Sequence, residues 1–162
     1  MTSAYYRVAL AAFLLLAGGA PAADAASDRH AGYYYPPPQT EEDYKARSRM
    51  LLDADRHMRM AFINTVTAEQ QSQPYPPQYV IFAKGDEAQK MIIVSLHDGA
   101  FDTLYRARGL LAQLSAVARR TPFFREHKVE DLFTFFDLLN LLGFKQLTIS
   151  DGESFAHRVW IK

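Results

Sequence analysis

The chain has 162 residues, 49% of them hydrophobic, and its 18 basic side chains balance 18 acidic ones. A single domain of this size without net charge lacks the positive field that an electrostatic nucleic-acid binder or a polybasic membrane clamp requires. Its apolar content also excludes a wholly disordered chain. A compact domain is expected, with no nucleic-acid partner.

Arg7 is followed by the apolar run Val8 to Leu16 and then by small residues from Ala17 to Ala26. This is the pattern of an export signal, in which Ala20 and Ala22, or Ala23 and Ala25, suit a signal peptidase. The run would rise only ~15 Å as a helix, against ~30 Å for a bilayer core, so it is too short for a retained anchor. A cleaved signal peptide is expected over 1–25, leaving a periplasmic or secreted protein with no stable membrane insertion. Cleavage removes Arg7 and Asp24, one charge of each sign, and the balance survives. With no cysteine, the exported part must be stabilised by burial alone, and a bacterial periplasm fits.

Residues 26–39 include three tyrosines followed by Pro36, Pro37 and Pro38, whose fixed φ angles favour an extended linker arm. A single domain is expected over 40–162. Thr40 stands three residues before Asp43, as in a capping box, and Tyr44, Ser48 and Leu51 follow at helical spacing, which predicts a helix over about 41–51. A second helix is predicted from Asp53 or Asp55 to Gln70, with Met58, Ala61, Phe62, Thr65 and Val66 as its apolar stripe. Prolines 74, 76 and 77 end it.

Residues 79–84 and 91–97 read as a hairpin around the charged turn 85–89, and the near-continuous apolar run from Met91 to Leu96 marks an internal strand. The next helix is predicted over 101–118, with Phe101, Leu104, Tyr105, Leu111, Leu114 and Ala118 on one face and Arg106, Arg108, Gln113 and Arg119 on the other. Thr121 and Pro122 open a further helical turn. A core helix over 131–142 follows, with Leu132, Phe135, Phe136, Leu139 and Leu142 inward and Asp131, Thr134, Asp137 and Asn140 outward. Gly143 stops it. A hairpin of 145–150 and 154–161 around Asp151-Gly152 closes the chain. The order ααββααββ predicts an α+β fold, a four-stranded antiparallel sheet of two hairpins with helices mainly on one face.

Few residues carry a chemical signal. Gly152-Glu153-Ser154-Phe155-Ala156 approximates a nucleophile elbow, but the serine opens a terminal strand instead of a strand-to-helix turn. His157 falls on the apolar face of that strand, where it is either a core histidine bonded within the fold or a general base. His97 and Asp98 end a strand, a frequent place for a site, and equally an ordinary turn in which Asp98 or Asp102 caps the next helix. These three side chains are the catalytic candidates of a periplasmic hydrolase if they converge. The five histidines show no paired metal-ligand spacing, so neither a metal nor a cofactor is expected. Lys84, Gly85, Asp86 and Lys90 flank a hairpin tip that either cradles an anion or is solvated. Pro76-Pro77-Gln78-Tyr79 has the form of a WW-domain ligand, but Tyr79 is needed by a strand. Tyr33, Tyr34 and Tyr35 form a candidate contact surface, since tyrosine loses little entropy on docking. The leading expectation is a small exported binding or accessory domain whose partner is a periplasmic protein or a small ligand.

The segments GYYYPPPQTEE, IFAKGDEAQKMIIV, FDTLYRARGLLAQL and FTFFDLLNLLGFKQLTISDG together resemble a family of uncharacterised exported alphaproteobacterial proteins, over nearly the whole mature chain. Members of that family often carry the name molybdopterin-guanine dinucleotide biosynthesis protein A. The name implies a cytoplasmic nucleotidyltransferase using GTP and magnesium, with a Leu-Ala-Gly-Gly loop followed by an arginine and a lysine on the phosphates. Here Leu16-Ala17-Gly18-Gly19 stands inside the export signal, followed by Ala20, Pro21, Ala22, Ala23 and Asp24 without those cations.

Overall fold

A computed structural model describes residues 35–162. The expected signal peptide, the Leu16 to Gly19 loop, Tyr33 and Tyr34 lie outside the described residues. Within them the order is β1 (Thr40–Tyr44), α1 (Arg56–Ser72), β2 (Tyr79–Lys84), β3 (Lys90–Ser95), α2 (Leu104–Arg119), α3 (Pro122–Glu126), α4 (Phe135–Leu141), β4 (Gln146–Ser150) and β5 (Ala156–Ile161). The class is α+β. The sheet corrects the expectation of four antiparallel strands: it has five, in the order β1-β5-β4-β3-β2, and it is mixed.

Both hairpins form, β2 against β3 and β4 against β5. They are joined differently from the expected arrangement. β3 and β4 lie side by side and parallel, Met91 opposite Leu147 and Ile93 opposite Ile149, so α2, α3 and α4 make the crossover that parallel strands require. Burial on both faces follows, and every residue of β4 is buried.

The second correction concerns residues 40–44, predicted as the start of a helix and in fact β1, paired parallel to β5 with Thr40 opposite His157 and Tyr44 opposite Ile161. The capping-box pattern is satisfied another way: the Thr40 hydroxyl meets His157 at 2.9 Å instead of a helix amide. Acidic residues are poor strand formers, but here each has a basic partner. Glu41 accepts from Arg158 at 2.9 Å and Asp43 from Lys162 at 2.5 Å. Cross-strand ion pairs thus supply what propensity does not.

Helix starts follow local chemistry. Asp55 caps α1 by accepting from the Met58 amide at 2.8 Å, and α1 stops before Pro74. Thr103 caps α2, accepting from the Arg106 amide, where the sequence pointed to Asp98 or Asp102. The helix predicted over 131–142 is shortened to 135–141, because the Thr134 amide donates to Asp137 at 2.8 Å and sets the start there. Gly143 follows at φ +80°, a backbone angle that side chains oppose.

The main core lies between the helices and one sheet face, where Ile81, Met91, Ile93, Leu147, Ile149, Val159 and Ile161 meet Ile63, Leu110, Leu111, Phe124, Leu139 and Phe144. On the opposite face a smaller cluster joins Tyr35, Ile92 and Ala156. Tyr35 and Gln39, assigned by sequence to the linker arm, are bound to the sheet. Tyr35 is buried, and Gln39 exchanges hydrogen bonds with Ala156. Among the described residues, no helix is long and apolar enough to cross a membrane.

Candidate functional site

The loop from β3 into α2 leaves the C-terminal end of a strand with a parallel neighbour, the position where open sheets that contain parallel strands most often leave room for a ligand. Here Ala100 and Phe101 of the loop, Tyr105, Arg106, Arg108, Gly109, Leu110 and Gln113 of α2, and Gln78 just before β2 line a cleft of about 680 Å³. That volume suits a small organic molecule. Its walls are mainly apolar. Tyr105, which periodicity places with the core, is 88% exposed beside the cleft.

Gly109 distinguishes this surface. It stands inside α2, where glycine costs about 1 kcal/mol relative to alanine. A Cβ built there would meet nothing within 4 Å, and no positive φ requires the glycine. Neither packing nor backbone geometry accounts for it. It leaves one position of the cleft lining without a side chain.

Two arginines supply charge. Arg106 bonds Asp102 at 2.9 Å and the Gly99 carbonyl, and Arg108 bonds Glu42 at 2.8 Å. Both guanidiniums are more than half exposed, so these pairs are weakly stabilising and open to exchange. Arg108 uses one of its five N–H donors on Glu42, which leaves others for a ligand anion.

Through Glu42 the cleft touches a buried polar chain. His157 is 1% exposed, its Nδ1 2.9 Å from the Thr40 hydroxyl and its Nε2 3.2 Å from Glu42. Burial alone would raise the Glu42 carboxyl, but the Arg108 hydrogen bond, with the charge and hydrogen bond of His157, outweighs it and holds the group below its ordinary value. An ionised Glu42 only accepts, so Nε2 carries a hydrogen and donates to it. Hydroxyl, imidazole and carboxylate thus stand in series. The two ring nitrogens are exchanged relative to a serine-protease triad, and Thr40 does not line the cleft. The chain therefore fastens β1 to β5, and His157 is bonded within the fold.

The other sequence candidates disperse. His97 and Asp98 are exposed on the β3–α2 loop, line no part of the cleft, and lie two strands away from His157, about 10 Å across the sheet before the offset along the strands is added. Ser154 donates to Asp151 at 2.6 Å inside the β4–β5 turn, without an imidazole beside it. Lys84 and Lys90 face each other in register at the first hairpin, with the Lys84 ammonium 5.6 Å from the Phe82 ring centre. Tyr35 is not displayed for docking: it packs on Ile92 and Ala156 and bonds Thr148, and burial raises its phenol above the usual value. Among the described residues no group of three His, Asp or Glu side chains is placed to hold a metal ion.

Sequence reasoning missed Gln78, Phe101, Tyr105, Arg106, Arg108, Gly109 and Gln113 as a group. The one signal available was the glycine in mid-helix, since its neighbours read as ordinary core and surface positions. No protein-family model, curated protein or solved structure matches the chain.

Proposed function

We propose that the protein is an exported binding module whose α2 cleft takes a small amphipathic anion, an apolar body bearing a carboxylate. The observation that carries this reading is Gly109, a helix-interior glycine on the cleft lining that neither packing nor backbone geometry requires, beside apolar residues and two arginines. The apolar body lies along the exposed Tyr105 ring, beside the buried Phe101 and Leu110. The carboxylate exchanges with Glu42 or Asp102 for guanidinium donors, at modest cost because both pairs are solvated. The dispersal of His97, Asp98 and His157 favours binding over hydrolysis.

The test is calorimetric titration of the purified protein with dodecanoate and with dodecanol, chains of equal length that differ in charge. Dodecanoate is expected to bind more tightly, and Arg108→Gln to reduce that preference about tenfold, the worth of one charge-assisted hydrogen bond. Equal affinity for both probes in the unaltered protein contradicts the reading.

A further inference from the structure

One carboxylate joins the cleft to the buried polar chain. Glu42 holds Arg108 of the cleft lining through Oε2 at 2.8 Å and the His157 ring through Oε1 at 3.2 Å. The two ends differ in their surroundings. The Arg108 guanidinium is more than half exposed and exchanges partners at little cost, whereas the His157 side chain is buried, so little solvent screens the charge its ring gains on protonation.

The other charges near that ring are engaged elsewhere. Besides Glu42, β1 brings it the Thr40 hydroxyl, and its register partner on β4 is Ile149. Glu41 and Asp43 alternate to the opposite face of the sheet, where they hold Arg158 and Lys162. The helix α4, which packs against β5, contributes Asp137, but that carboxylate is bonded to Tyr44, whose position on β1 is opposite Ile161, about 13 Å along β5 from His157. On α2, Arg106 is held by Asp102. The proton count of the ring therefore depends chiefly on Glu42, and the charge that Glu42 offers it depends on Arg108.

We infer that anion binding in the α2 cleft is coupled through Glu42 to protonation of His157: a ligand that takes Arg108 leaves the Glu42 carboxylate to the imidazole, which then takes up a proton from solvent. This rests on the cleft reading proposed above and adds its regulation. In the empty cleft Glu42 divides its charge between Arg108 and the ring, and a further proton on the ring sets two cations against one carboxylate. With Arg108 paired to the ligand, the protonated ring and Glu42 form an ion pair of their own. Nε2 already donates to Glu42, so the incoming proton goes to Nδ1, and the Thr40 hydroxyl turns to accept from it. Linkage makes the coupling reciprocal: acid, by protonating His157, loosens Glu42 from Arg108 and tightens binding of the anion.

Calorimetric titration with dodecanoate at one pH, in buffers of different ionisation enthalpy, reads the protons taken up per ligand bound. Above about pH 6.5 carboxylates such as the probe stay ionised and histidine rings are the groups that titrate. The unaltered protein is expected to take up a fraction of a proton, with a dissociation constant that falls about threefold from about pH 8.5 to 6.5, the worth of one solvent-screened ion pair. The His157 ring resonances should move to their protonated positions as dodecanoate is added. Glu42→Gln, at a partly exposed position, should abolish both the uptake and the pH dependence while dodecanoate still binds, and His157→Gln should do the same. His97→Gln, at the exposed histidine of the β3–α2 loop, should leave the uptake as it is. Dodecanoate binding without proton uptake, at one affinity across this range and with the His157 resonances unmoved, overturns the coupling and leaves the cleft reading standing. Uptake that survives in Glu42→Gln, or that vanishes in His97→Gln, overturns it as well. Absence of dodecanoate binding at every pH overturns the cleft reading itself, and the coupling with it.

Discussion

Asp137 is fully buried, yet it accepts from the amides of Thr134 and Arg47 at 2.8 and 2.7 Å, from the Tyr44 hydroxyl at 3.0 Å and from the Thr134 hydroxyl at 3.0 Å. Burial alone would raise this carboxyl, but the donors outweigh it and hold its pKa below the ordinary aspartate value of 3.8. Asp137→Asn turns an amide group towards donors and should cost about 2–3 kcal/mol in urea unfolding. Because the folded state binds this proton less readily than the unfolded chain, the stabilisation is fully present above the ordinary value and is lost as the pH falls through the depressed one. Unfolding midpoints in acid should therefore decline less steeply for Asp137→Asn than for the unaltered protein. Sequence reading placed Asp137 and Asn140 on the solvent side of their helix. A wheel treats polarity as exposure, and here Tyr44 at the end of β1 and Arg47 and Ser48 of the segment that follows it cover that side; Asn140 donates to the Ser48 carbonyl at 2.8 Å.

At the scale of elements, α2 combines a core-facing stripe of Ala107, Leu111 and Ala118 with a surface interrupted at Gly109. Gly109→Ala should raise stability by up to about 1 kcal/mol, read as a higher urea midpoint, since the added methyl meets nothing and helix propensity improves. Both hairpins, the internal position of β3 and the stop at Gly143 were legible from β-branched runs, turn residues and a glycine after an apolar repeat. β1 was not. Its alternation is carried by acidic side chains whose strand conformation depends on Arg158, His157 and Lys162, more than a hundred residues away. The parallel junction of β3 and β4 is also non-local, and the full burial of β4 is its consequence. The cleft combines both problems, because it gathers a loop, one helix and the residue before β2, each unremarkable by itself.

For the whole molecule, the main core lies between the helices and one face of the sheet, and the proposed ligand cleft opens beside α2. Export, proposed from the N-terminal sequence, is tested at this scale. Residues 1–30 fused to a reporter that matures only in the periplasm should give activity, and replacing Leu14 and Leu15 with arginine should abolish it.

The central claim is that the space beside Gly109 holds the ligand. The most direct measurement is an amide-resolved NMR titration of Gly109→Leu with dodecanoate beside the unaltered protein. If the cleft is the site, saturable shifts at Phe101, Tyr105, Gly109 and Leu110 in the unaltered protein should disappear in Gly109→Leu, while the rest of its spectrum stays that of the folded chain. Shifts of the same size and midpoint in a folded Gly109→Leu protein would contradict it.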